Sequence, residues 1–200
     1  MWIIIWLIFW ISALGITNYL FKRHDITYYE KSWQHTLFFI VLSLALFFVY
    51  QNQFFVYFSN ISWDHLLIVL VLFILWLFVP TLYKNDYYTK KERLSYQLPK
   101  FFEILFQDIC FLGGLLTFAV SPTTFGLIFF VVHIPAVFLL PKKFSLLPIF
   151  GSLFGGLIFA NLQSHGVSGF LIALFIHLSF WAILHYALQK NLLGITPLKR

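Results

Sequence analysis

The sequence predicts an all-α membrane protein: a polytopic bundle of about seven transmembrane helices, with its N-terminus outside and its C-terminus inside. Three observations lead to this fold class. Hydrophobic residues make up 61% of the 200 residues and charged residues only 10%, with a mean hydropathy of +0.88. The apolar residues fall into seven long runs, and the basic residues lie in alternate connections. So little polar surface could not cover a water-soluble globule of this size.

The seven runs match the length that a membrane requires. A bilayer core of about 30 Å needs roughly 20 apolar residues per helix. The first run follows Met1 without the basic region of a signal peptide, so we expect a retained helix. The predicted helices are 2–21, 33–58, 65–83, 99–120, 124–140, 144–162 and 167–189.

The basic residues predict the orientation. The chain has 13 Lys and Arg residues, and all lie after the first, third or fifth run or beyond the seventh. Because cytoplasmic loops carry the excess of Lys and Arg, the odd-numbered connections and the tail are predicted inside. Their short clusters suit anionic lipid rather than nucleic acid, and the pattern suits a bacterial plasma membrane. The residues are Lys22, Arg23, Lys31, Lys84, Lys90, Lys91, Arg93, Lys100, Lys142, Lys143, Lys190, Lys199 and Arg200.

A basic loop divides the chain into regions of different character. Residues 1–98 are predicted to hold three helices and this cytoplasmic loop, which precedes Pro99. Residues 99–190 are predicted to form a four-helix region with more polar side chains within its apolar runs. Residues 191–200 are predicted to form a basic cytoplasmic tail. Within the second region, GSLFGG at 151–156 predicts close helix packing, and Pro135 predicts a kink.

Four polar side chains in the second region are predicted to lie at similar depth. Glu103 and Asp108 are the only carboxylates inside an apolar run, where ionised groups are costly and usually functional. At 1.5 Å per residue, Asp108 lies about 12 Å from Lys100, and His133 about 12–15 Å from Lys142. His177 lies about 20 Å from Lys190. A shared site is favoured over separate polar contacts between helices, although a buried ion pair is an alternative.

Three short segments resemble the motifs of a known family. Residues 107–113, QDICFLG, resemble the EExxxR-G signature of the CPBP intramembrane proteases, which include type II CAAX prenyl endopeptidases, lysostaphin resistance protein A-like proteins and bacteriocin-immunity proteins. Residues 129–133, FFVVH, match the FxxxH motif of that family, and residues 177–181, HLSFW, resemble its HxxxN motif. The resemblance covers roughly residues 99–190.

The resemblance implies an intramembrane endopeptidase with an altered site. In the family the first motif Glu activates water and the second supports it, but these positions hold Gln107 and Asp108 here. An amide cannot take a proton from water, so Asp108, or in second place Glu103, would have to act as the base. His133 and His177 are retained and would position water and stabilise the oxyanion. The supporting positions are Phe129, Leu112 in place of the family Arg, and Trp181 in place of the family Asn.

Other functions stay open from the sequence. The same departures are consistent with a non-catalytic descendant, acting as a scaffold or a bacteriocin-immunity factor. A proton pathway through Asp108, His133 and His177 is a third possibility. No cofactor is expected; two His and one carboxylate could hold zinc, but HExxH spacing is absent. The expected partners are membrane lipids and either a prenylated or membrane-embedded peptide substrate or a membrane protein.

Overall fold

A computed structural model describes residues 2–11, 31–79, 90–134 and 142–189. Within these ranges the regular structure is helical and none of it is strand, which confirms the all-α prediction. The predicted tail, 191–200, and the Pro135 kink lie outside the described residues. The helices are α1 Trp2–Ile11, α2 Ser32–Val49, α3 Gln51–Tyr57, α4 Trp63–Phe78, α5 Lys90–Thr117, α6 Pro122–His133, α7 Lys142–Gln163 and α8 Val167–Gln189.

Two of the described helices are long and apolar enough to cross a membrane. They are α2 and the first 18 residues of α8, with mean hydropathies of 1.7 and 2.2. Three apolar stretches are shorter than 18 residues: α4, α6 and Phe150–Gln163 within α7. Length and composition therefore support membrane association at a coarse level.

The helix boundaries agree with the prediction at the start of α8 and differ in α2, α3 and α5. The predicted run 33–58 is divided at Tyr50 into α2 and α3, although backbone hydrogen bonds continue on both sides. The predicted loop before residue 99 is wrong from residue 90, because α5 begins there and contains Pro99. Residues 90–98 include Lys, Glu, Arg, Leu and Gln, all good helix formers, which explains a helix that hydropathy alone does not reveal.

The chain divides into two compact units, Met1–Thr117 and Phe118–Arg200. Helix α5 belongs entirely to the first unit, so the predicted boundary after residue 98 falls inside a helix. The assignment of 99–190 as a protease-like core rests on the resemblance and stays a prediction.

In the first unit, α2 runs parallel to α5. The Phe39 ring lies 6.0 Å from the Phe106 ring, and further along both helices a Cβ at Gly113 would lie 3.2 Å from the Tyr50 ring. Residue numbers rise in the same direction along both helices, which fixes their relative direction. The missing Cβ at Gly113 makes room for the fully buried Tyr50.

Helix α4 runs antiparallel to α5. The Phe73 and Phe101 rings are 4.8 Å apart, and the Trp76 indole N–H donates to the Gln97 carbonyl at 2.8 Å. From the first contact to the second, the residue number rises along α4 and falls along α5, so the two helices run in opposite directions. The hydrogen bond joins the two helices near the cytoplasmic end predicted for both.

Helix α1 is joined to α5 through a buried tryptophan. The Trp6 indole N–H donates to the Cys110 carbonyl at 2.7 Å, and both side chains are fully buried. Cys110, the single cysteine, therefore lies in the core of the first unit.

The second unit is built around α7, which contacts both α6 and α8. Helix α6 begins after Ser121, whose hydroxyl accepts from the Thr124 backbone N–H at 3.1 Å. Helices α7 and α8 are antiparallel and joined by a short turn that ends at Gly166, where φ is +84°. A left-handed residue of this kind favours glycine.

Candidate functional site

The first polar cluster is a stripe on α5 formed by Lys100, Glu103 and Gln107. Their spacing of three and four residues puts them on one helix face. The Lys100 Nζ lies 3.1 Å from one Glu103 carboxylate oxygen, and the Gln107 amide donates to the other at 3.0 Å. Both oxygens of Glu103 are thus engaged within its own helix, and Gln107 acts as a hydrogen-bond donor.

Asp108 lies on a different face of the same helix. One residue beyond Gln107, its side chain is turned by about 100° around the helix axis. The side chain is 1% exposed, which makes Asp108 more buried than Glu103. A carboxylate at this position could accept a proton or pair with a cation. Only a carboxylate that accepts a proton could act as a general base.

The second unit holds two of the predicted site histidines, His133 on α6 and His177 on α8. The Nδ1 of His133 bonds the Phe129 carbonyl at 2.7 Å, and the Trp181 indole N–H donates to Nε2 of His177 at 3.1 Å. Each imidazole is therefore oriented by a residue four positions away on its own helix.

A phenylalanine ring lies beside each of the two histidines. The Phe129 ring centre lies 4.3 Å from that of His133, and the Phe159 ring centre 5.3 Å from that of His177. Phe129 and Trp181, which occupy motif positions, thus both contact a histidine. Leu112, where the family has Arg, is fully buried in the first unit as an apolar side chain.

The candidate residues are distributed over both units. Glu103 and Gln107 are joined by a hydrogen bond of 3.0 Å, whereas the hydrogen bonds of His133 and His177 described above go to residues of their own helices. The predicted site shared by three helices, α5, α6 and α8, stays a prediction. The first unit holds Glu103, Gln107, Asp108 and Leu112, and the second holds Phe129, His133, His177 and Trp181.

The predicted absence of a resident metal also stays a prediction. Within residues 2–11, 31–79, 90–134 and 142–189, no three His, Cys, Asp or Glu side chains are grouped as metal ligands. The zinc alternative is therefore left to direct metal analysis.

Lys100 and His35 are among the buried polar residues that were not predicted as parts of a site. The side chain of Lys100, predicted as a cytoplasmic charge, is only 7% exposed. Its spacing of three residues from Glu103 is a signal that the sequence contains. His35 on α2 is 1% exposed, and a lone histidine near the start of an apolar helix gives no comparable signal.

An open depression lies elsewhere in the first unit, with a volume of about 400 Å³. It contains none of the predicted site residues. Its lining is mixed apolar and polar: Asn52, Gln53, Val56, Tyr57 and Leu116.

No protein-family model, curated protein or solved structure matches this chain. The resemblance to the CPBP family therefore rests on residues 107–113, 129–133 and 177–181 alone.

Proposed function

We propose that the chain is an integral membrane protein with seven transmembrane helices, in a bacterial plasma membrane. Helix α4 supports this, because it buries only Leu72 and Trp76 and exposes apolar side chains over most of its surface. Such a surface is unfavourable in water, at about 25 cal/mol per Å², and natural in lipid. The exposed side chains are Trp63, Leu66, Leu67, Ile68, Leu70, Val71, Ile74, Leu75 and Phe78.

The helix directions within each unit are consistent with this topology. The second and fourth spans would run in the same direction, as α2 and α5 do. The third span would run opposite to the fourth, as α4 does to α5, and the last two spans would be antiparallel, as α7 and α8 are. These directions agree with the alternation of basic and uncharged connections.

We further propose that this protein uses a CPBP-like scaffold to bind a membrane-embedded partner rather than to hydrolyse it by the family route. The hydrogen bond from Gln107 to Glu103 carries this proposal. The residue at the base position donates a hydrogen bond, and the nearest alternative carboxylate on that face is engaged by Lys100 and Gln107. Neither residue is arranged to take a proton from water.

The other altered motif positions agree with binding. Leu112 packs as a buried apolar residue where the family has Arg. Trp181 donates to His177, so the indole N–H is engaged with a histidine instead of standing as a separate oxyanion donor. A scaffold with these substitutions would suit a role as an immunity factor or a membrane scaffold.

An active endopeptidase is the second candidate, favoured by the burial of Asp108. This carboxylate lies off the Lys100–Glu103–Gln107 stripe and could replace the lost Glu as the base. His133 and His177 would then position water and stabilise the oxyanion, and prenylated or membrane-embedded peptides would be the substrates.

Reporter cleavage in proteoliposomes distinguishes the two candidates. A panel of prenylated and transmembrane peptides would be incubated with wild type, His133→Ala and Gln107→Glu. We expect no cleavage by wild type, because the base position holds an amide. Cleavage gained by Gln107→Glu would indicate an inherited site disabled at that one position.

The opposite result would favour the endopeptidase. Cleavage by wild type that His133→Ala abolishes, while His165→Ala does not, would overturn the binding proposal. His165 is a suitable control, because it is an exposed histidine at the turn between α7 and α8. Asp108→Asn would then test the base, and stoichiometric zinc lost with His133→Ala would identify a metalloenzyme.

A further inference from the structure

The open depression in the first unit lies where α3 meets the last turns of α5. Phe54 of α3 is 1% exposed, and a Cβ at Gly113 of α5 would lie 3.4 Å from its ring. The missing side chain at Gly113 therefore lets α3 pack closely on α5. Beside this contact, the two helices border a volume of about 400 Å³ that is lined by Asn52, Gln53, Val56, Tyr57 and Leu116.

The lining combines apolar walls with two amide side chains. Val56 and Leu116 are aliphatic, and Tyr57 adds an aromatic ring. The side-chain amides of Asn52 and Gln53 make no hydrogen bond to any residue that the structure describes. A mostly apolar recess of about 300–1,000 Å³ with a few polar groups is the usual composition of a small-molecule site.

The polar groups of the lining suit hydroxyls better than charges. None of the five lining residues is charged. A phosphate or carboxylate is usually bound by Arg or Lys, and leaving water without such a partner is costly. Each amide offers two N–H donors and one carbonyl acceptor, and a hydroxyl both donates and accepts. The lining therefore favours an uncharged group that carries several hydroxyls.

In the proposed topology, the depression lies at the outer surface of the membrane. Helix α3 leads into residues 58–62 and α5 into residues 118–121, and neither connection contains Lys or Arg. A ligand in this position would have its polar part among the lipid headgroups and its apolar part towards the lipid chains. An amphiphile with an uncharged, hydroxyl-rich head satisfies both conditions.

We propose that this depression binds the sugar headgroup of a glycolipid in the outer leaflet. The sugar hydroxyls form hydrogen bonds with the amides of Asn52 and Gln53. The glycerol and the first methylene groups of the chains lie against Val56, Tyr57 and Leu116. The inference takes only the membrane topology from the proposed function, and it is independent of the choice between partner binding and cleavage.

Native mass spectrometry of the protein in tetraethylene glycol monooctyl ether, a detergent without sugar, tests the headgroup. Monoglucosyl diacylglycerol would be compared with diacylglycerol, which lacks the sugar, and with phosphatidylglycerol, which is anionic, all with identical acyl chains. We expect wild type to bind the glucolipid about tenfold more tightly than either other lipid, the effect of roughly one net hydrogen bond. Equal or tighter binding of diacylglycerol or phosphatidylglycerol would overturn the proposal.

Amide variants show whether this preference arises in the depression. Asn52→Ala combined with Gln53→Ala should weaken glucolipid binding about tenfold and leave diacylglycerol binding unchanged. Gln51→Ala is the matched control, because Gln51 is an exposed amide on the same helix and does not line the depression. If the double variant bound the glucolipid as tightly as wild type or Gln51→Ala, the proposed site would be wrong.

Filling the depression gives a second test at positions where a larger side chain should not prevent folding. Val56 is 72% exposed and Phe55 79% exposed, but only Val56 lines the depression. We expect Val56→Trp to weaken glucolipid binding about tenfold and Phe55→Trp to leave it unchanged. Equal effects of the two variants would contradict the proposal. The topology is tested separately, by the side of the membrane from which a cysteine at Asn60 reacts, so the two failures are distinguishable.

Discussion

Among single residues, Lys100 and Glu103 allow the clearest test of stability. Lys100→Met would leave the Glu103 carboxylate largely buried without its cation, at a cost of about 3 kcal/mol. Lys100→Met combined with Glu103→Leu should recover most of this loss, because two apolar side chains need no partner. Thermal unfolding of the purified protein in detergent measures both. A double variant as unstable as the single variant would show that the ion pair is not the cause.

Residue neighbours along one helix could be predicted, whereas their environment could not. A spacing of four residues puts Glu103 and Gln107 on one helix face, and the structure joins them by a hydrogen bond of 3.0 Å. The burial of Lys100 was not predicted, because a long amphipathic side chain can reach water or an ion pair from the same backbone position. The choice depends on tertiary packing around α5, which no spacing encodes.

Among the helix contacts, the close approach of α6 and α7 predicts the effect of a substitution at Gly126. A Cβ at Gly126 would lie 2.7 Å from the Gly156 carbonyl oxygen, which is backbone and cannot move away alone. Gly126→Ala should therefore separate the two helices and destabilise the protein by about 1–3 kcal/mol. The thermal unfolding midpoint in detergent would fall.

Gly155→Ala is the matched control for that prediction. Nothing lies within 4 Å of a Cβ at Gly155, and alanine is the better helix former by up to about 1 kcal/mol. This variant should be neutral or stabilised. Equal losses in the two variants would mean that helix propensity or lipid contact, rather than the crossing, controls stability.

The contact between α6 and α7 could be predicted from the sequence only in part. The GSLFGG segment correctly indicated close packing, but only Gly156 among its last two glycines makes the close approach. Its partner, Gly126, is an isolated glycine in another helix and gave no signal. Helix α8 begins at the predicted residue 167, directly after the turn at 164–166, whereas α5 extends beyond the apolar run through residues of high helix propensity.

Over the whole chain, composition and the positions of the basic residues predict the fold class and the helix directions, but not which helix faces pack together. Helices that are apolar on most sides have no distinct core-facing stripe, so the sequence cannot tell which face of α4 meets α5. The all-α class and the relative directions of neighbouring helices within each unit could be predicted because they depend on hydropathy and on the positions of Lys and Arg. Which side chains meet across helices depends on packing, and the predicted site shared by three helices is of that kind.

The seven-span topology makes its own prediction for labelling with a membrane-impermeant maleimide. Cys110 is fully buried, so wild type should resist the reagent, and Cys110→Ala provides a background without thiols. In that background, cysteines at the exposed positions Asn60 and Thr123 should react in intact bacterial cells. A cysteine at Lys31 should react only after permeabilisation, because this basic connection is predicted inside. If Lys31→Cys and Asn60→Cys reacted from the same side, α2 and α3 would not span the membrane and the seven-span topology would be wrong.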